Sequence, residues 1–111
     1  MSMLSGVNAH LRLEAIRAAL KNHPSLFEEL LLPDGSFNPA TDPDVLELPD
    51  PGDTLVRVAC DFWNGGGETD FDRLLNVLEE EDYANVVEAM GLYGKLRNKI
   101  RQIHMSNSQN D

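Results

Sequence analysis

Cysteine is almost missing from this 111-residue chain, in which Cys60 stands alone. No internal disulfide can form, so a disulfide framework is excluded and a reducing compartment is expected. Long apolar runs are missing too. No window approaches the ~20 residues of a membrane span, and the opening MSMLSGVNAH lacks the basic start and apolar stretch of a signal peptide. The expectation is a cytoplasmic protein that makes no membrane contact. Basic residues are scarce across the middle of the chain: residues 24–90 hold 17 acids against only Arg57 and Arg73, within a formal net charge of -10. Such a body disfavours the counterion-releasing contacts with phosphate on which nucleic-acid binding depends, so no direct binding of nucleic acid is expected. There is no repeat of solenoid period, no catalytic triad, no nucleophile elbow and no metal-ligand spacing, and His10, His23 and His104 lie far apart.

What is present describes an ordinary folded domain. An apolar fraction of 41% and a charged fraction of 25% suit a soluble globule, and the length suffices for one modest core. The expected architecture is all-α: a compact single domain of five or six short helices over residues 1–105, a long acidic Pro-rich crossover at 33–52, and a frayed polar tail at 106–111.

Periodicity locates the helices. Ala9, Leu13, Ile16 and Leu20 recur at intervals of 4, 3 and 4, which predicts a helix over residues 8–22 that stops near His23 because Pro24 follows. Ser25 and Glu28 match a capping box for a helix over 25–32, with Leu26, Phe27, Leu30 and Leu31 inward. In DTLVRVACDFWNG the polar residues Asp53, Arg57, Asp61 and Asn64 are spaced 4, 4 and 3 apart. That is one narrow stripe on a helix that is apolar elsewhere, so this helix should be central and the most buried, capped by Asp53 or Thr54, with an exposed Arg57–Asp61 pair. Asp70 or Thr69 should cap a short helix burying Phe71, Leu74, Leu75 and Leu78. Acids from Glu79 to Asp82 read as solvated caps of the next helix. From Tyr83 to His104 the apolar stripe changes direction between Gly91 and Gly94. Two glycines inside a helix cost about 1 kcal/mol each, which predicts a kink or break there and two separate helices.

The segment PDGSFNPATDPDVLELPDPGD holds five of the six prolines, six acids and no base. Proline removes backbone donors, so no regular helix or central strand is expected, and Phe37, Val45, Leu46 and Leu48 should pin the run to the body.

One stretch invites a chemical reading: DFWNGGGETDFD, residues 61–72. Its length and Gly66 at the sixth position resemble a calcium loop, with Asp61, Thr69 and Asp72 as candidate ligands. Trp63 and Gly65 supply no side-chain oxygen where such a loop needs one, so too few oxygens remain for the six to eight that calcium takes. A phosphate cradle is excluded by Glu68, Asp70 and Asp72 at the place the anion would occupy. A helix-loop-helix corner explains every residue: Gly65 ends one helix with positive φ, Gly66 and Gly67 turn the chain, and Thr69 or Asp70 caps the next. Cys60, on the apolar side of its helix, reads as an inert core thiol.

The functional expectation is a small non-catalytic protein that needs no cofactor and acts by contact with a protein partner of unknown identity. Its size suits a bacterial or phage accessory factor. Two surfaces are expected to carry that contact. One is DPDVLELPD with Val45, Leu46 and Leu48. The other is the basic end with Lys95, Arg97, Lys99 and Arg101, beside an apolar seam of Tyr93, Leu96, Ile100 and Ile103. With Ala89 the seam has a 4, 3, 4, 3 spacing, which is too short for a coiled coil and predicts packing onto the domain or onto a twin subunit as a homodimer. Two alternatives stand beside this reading: an EF-hand-like calcium-responsive module, and an acidic mimic of nucleic acid that occupies a basic partner.

Overall fold

The computed structural model describes the backbone of residues 3–109 and the side chains of residues 8–95 and 101. Six helices and no strand are found among the described residues: α1 (Met3–Ala19), α2 (Pro24–Glu29), α3 (Pro43–Leu46), α4 (Gly52–Asn64), α5 (Phe71–Val77) and α6 (Glu80–Gln109). The all-α expectation is met, but the lengths are unequal.

Helix α1 begins five residues earlier than its periodicity suggests, and it carries two packed faces. α6 runs along one side of it and α4 packs on the other. Ala15, Ile16, Ala18, Ala19 and Leu20 are all buried, whereas Ala9 is exposed. The alanines at 15 and 19, with Ala59 on α4 and Ala89 on α6, are fully covered. Short side chains at these positions let helix axes approach closely. α1 joins α6 to α4, and α4 in turn carries α3 and α5, so α4 has the central place its stripe predicts. α4 is also the helix with the most complete burial, with Leu55, Val56 and Ala59 at 0% exposure.

The capping box expected at Ser25 does not form. His23 is the N-cap of α2, without a side-chain cap bond, because Pro24 occupies the first helical turn, a place that suits its fixed φ and missing N–H. α2 also ends early. Leu31 forms a bridge with Phe37 across a tight loop, closed by the Leu32 N–H donating to the Ser36 carbonyl at 2.7 Å. The loop seats Phe37 against Trp63 with ring centroids 5.3 Å apart.

Residues 33–52 are not wholly irregular. Asp42 accepts from the Asp44 N–H at 3.0 Å and caps α3, with Pro43 buried in its first turn. Proline thus starts a short helix here. Phe37 does pin the segment to the body and Leu48 packs against the core, but Val45 is 75% exposed and Leu46 43%. α4 is capped neither by Asp53 nor by Thr54. The Asp50 carboxylate accepts from the Thr54 N–H at 3.2 Å and from its hydroxyl at 2.8 Å.

The predicted break at Gly91–Gly94 is absent, and α6 continues from Glu80 to Gln109. Packing along α1 outweighs the local glycine penalty, since helical stability in a protein comes mostly from tertiary burial. At 1.5 Å per residue α6 is about 45 Å long, in a molecule measuring 52 × 30 × 21 Å. Its length explains a radius of gyration of 15.1 Å, against about 13 Å for a spherical chain of this size. The polar tail expected from residue 106 therefore starts as helix, and residues 110 and 111 lie outside the described residues.

Candidate interaction site

The glycine-rich corner joins α4 to α5. Gly65, at φ 68°, ends α4 in the left-handed conformation and donates to the Asp61 carbonyl at 2.8 Å, as the helix-stop reading requires. The Asp61 side chain closes the rest of the loop: one oxygen accepts from the Glu68 N–H at 2.8 Å, the other from the Thr69 N–H at 2.6 Å. Asp61 is therefore a strap across the corner, not the partner of Arg57. This arrangement also bears on the calcium candidates. Asp61 already gives both oxygens to the backbone, and Asp72 stands in the first turn of α5, where Asp70 caps its N–H at 2.9 Å. The Thr69 hydroxyl is buried without a hydrogen-bond partner. Among the described residues, no group of three His, Cys, Asp or Glu side chains is placed to share a metal ion.

Arg57 instead gathers three carboxylates: Asp44 of α3 at 2.7 Å, Asp53 of its own helix at 3.1 Å and Glu68 of the corner at 3.0 Å. Arg73 of α5 reaches Asp50 at 3.2 Å and also binds Asp53. The two bases of the acidic middle thus clasp the Pro-rich segment, the corner and α5 onto α4. The hydrogen bond from Thr54, joined by Arg73, holds the Asp50 carboxyl below its ordinary pKa. Burial opposes ionisation of Asp53, but hydrogen bonds from Arg57 and Arg73 outweigh it and the pKa is again lowered. Asp44 and Asp53 in turn raise the pKa of the Arg57 guanidinium.

A second set of polar contacts ties the turn between α1 and α2 to α6. His23 Nε2 lies 3.0 and 2.9 Å from the two oxygens of Asp82, and Lys21 pairs with Glu88 at 2.7 Å. Asp82 is buried at 7% exposure, so it is no solvated cap. Arg12 donates to the carbonyls of Phe62 and Trp63, both at 3.0 Å, and lies over the Tyr93 ring. It thereby occupies the carbonyl end of α4, which attracts a cation. Cys60 is buried, and burial together with Asp61 and Glu68 pushes its thiol up to about 11. It stays protonated at neutral pH and is no nucleophile.

Against this well-paired framework one region stands out. A cleft of about 510 Å³ opens between α5 and α6, floored by Val58 and Phe62 of α4 and walled by Phe71, Leu74, Val86 and Met90. Phe71 and Leu75 were expected inside, yet they are 73% and 67% exposed. Leu74 and Leu78, one helical turn apart, take the inward face of α5, which rotates Phe71 and Leu75 outward. On α6, Val86 and Ala89 point into the core, and Tyr83, Val87 and Met90 are 42%, 52% and 44% exposed. Phe71 and Met90 therefore face the cleft, and Leu75, Tyr83 and Val87 are exposed on the two helices that bound it.

Of the surfaces expected from sequence, Val45 and Leu46 are exposed on α3, but Leu48 is spent on the core. Lys95 and Arg101 are exposed on α6. Tyr93 of the apolar seam is half-buried against Phe62 and Arg12, and the side chains of Leu96, Arg97, Lys99, Ile100 and Ile103 lie outside the described residues. The seam's described part therefore packs onto the domain itself. No protein family, curated protein or solved structure matches the chain.

Proposed function

We propose that this is a small, cytoplasmic, non-catalytic protein that works by protein–protein contact, and that the cleft between α5 and α6 is its contact surface. The observation that carries this reading is the combination of Phe71 at 73% exposure with Met90 at 44% across the same opening. Clustered apolar exposure is costly for a solitary soluble domain and marks interaction surfaces. The reactive side chains offer little else: Cys60 is a protonated core thiol, Asp53 is held by Arg57 and Arg73, and Asp50 by Thr54 and Arg73. No described helix is long and apolar enough to cross a membrane. The basic end of α6 supports the same reading by supplying charge that the acidic middle lacks.

The test is quantitative capture on immobilised protein, with untagged copies of this chain included in the mixture. Proteins retained by the wild type should be lost with Phe71→Ser and Met90→Ser, and kept with Val45→Ser on α3. Identical retained sets for wild type and both cleft variants would overturn the reading.

A further inference from the structure

Helix α6 carries on its outward edge a stripe that is complementary to itself when reversed. Tyr83, Val87, Met90, Gly94, Arg97 and Arg101 follow one another at intervals of 4, 3, 4, 3 and 4, so helical register puts them all on one side of a continuous helix. Its first half is apolar and exposed, its middle is glycine, and its last half is basic, with Arg101 exposed. A methyl group added at Gly91 or Gly94 would meet nothing within 4 Å. Neither glycine is required by the fold of one chain, and each weakens a helix that continues regardless.

We infer that the partner on this face is a second copy of the chain, with the two α6 helices antiparallel about a twofold axis near residue 92. The inference rests on the reading of the cleft as a contact surface and names its occupant. In that register Met90 of each copy meets Gly94 of the other, where the missing side chain leaves room for a knob. Arg101 meets Tyr83 and the neighbouring Glu80, pairing a cation with an aromatic face and a carboxylate. The charge layout favours the same pairing. Residues 91–110 hold four bases and no acid, while the first turn of α6 offers Glu80, with Glu81 and Asp82 engaged by Asn22 and His23, so antiparallel alignment sets unlike charges together and parallel alignment sets like against like. A C2 contact of this kind is closed: each copy offers the same patch and each patch is covered.

The experiment is sedimentation equilibrium over a range of protein concentration, with thermal melts of the dilute protein beside it. The wild type should dimerise, more weakly as salt rises. Gly94→Leu should abolish the dimer while the dilute monomer melts no lower than wild type, because its new side chain enters open space. Arg101→Glu and Glu80→Lys should each weaken dimerisation on the order of tenfold, and the double variant should recover it. A wild type that stays monomeric throughout, or a dimer indifferent to Gly94→Leu, would overturn the inference. If the chain were monomeric while capture of another protein still depended on Phe71, the cleft reading would stand without it; if capture also failed, both would fall.

Discussion

Around Arg57 and Arg73 four carboxylates share two guanidiniums, whereas along the outer edge of α6 the side chains of Tyr83, Val87 and Met90 stand in solvent. The first region is almost wholly self-satisfied. It takes charges from the Pro-rich segment, α4, the glycine corner and α5, and spends them on holding those pieces together. In the second, apolar area that could have entered the core is left outside. Local charge pairing explains a fold; unsatisfied apolar area on a well-packed framework calls for something beyond the chain. The net charge of -10 is therefore no uniform acidic coat, because Asp44, Asp50, Asp53 and Glu68 are drawn together around Arg57 and Arg73.

That contrast can be broken by mutation. Arg57→Ala removes three ion pairs and leaves Asp53, whose side chain is 14% exposed, with Arg73 alone. A loss of about 2–3 kcal/mol in urea unfolding is expected. A loss no larger than that of a surface substitution would mean that the clasp contributes little. Acid should expose the same region. Asp50 and Asp53 have lowered pKa values in the folded protein, so their stabilisation is complete above the unfolded carboxyl value of about 4 and is lost as pH falls through the folded values. Melting temperature should therefore drop below about pH 4, with a shallower drop in Asp50→Asn and Asp53→Asn proteins. A curve identical in wild type and both variants would contradict the assignment.

Smaller effects separate the two regions further. Asp50→Ala deletes the cap that Thr54 donates to and should cost about 1 kcal/mol. Gly91→Ala, on the exposed side, should raise stability of the dilute monomer by roughly 0.5–1 kcal/mol, since the added methyl meets nothing. Val87→Ser should move stability by no more than about 0.5 kcal/mol. If Val87→Ser proved as damaging as Arg57→Ala in the dilute protein, the outer edge of α6 would belong to the core after all.

Local chemistry was legible wherever a residue's role depends on its immediate neighbours. Gly65 was readable as a left-handed stop and Asp70 as a cap, because both act within one turn of backbone. The helical stripe of α4 was readable for a related reason: a helix covered on nearly all sides must be apolar on nearly all sides. Misreadings cluster where a residue had several acceptable partners. Arg57 could pair with Asp61 one turn ahead, but Asp53, Asp44 and Glu68 converge on it from three elements. Phe71 and Leu75 were equal candidates with Leu74 for the inner face of α5, and only the position of α4 chose between them. Arg12 carried no signal at all, since its role depends on the carbonyl end of a helix fifty residues away.

The candidate site was less visible still. An exposed phenylalanine and a buried one look alike in sequence, so the cleft could not be drawn before α5 and α6 were placed. The glycines of α6 pointed the wrong way, toward a break, because their cost is local and the burial that offsets it is not.

By itself the amino-acid order determined the helical class, the corner at Gly65–Gly67 and the division of charge into an acidic middle and a basic end. These follow from propensities and periodicities that act over a few residues. Tertiary structure alone decided that α1 joins α4 to α6, that α6 runs unbroken, which acids neutralise Arg57 and Arg73, and which apolar side chains remain outside. Each of those outcomes is a competition among distant partners for one surface, and the winner depends on how the helices pack.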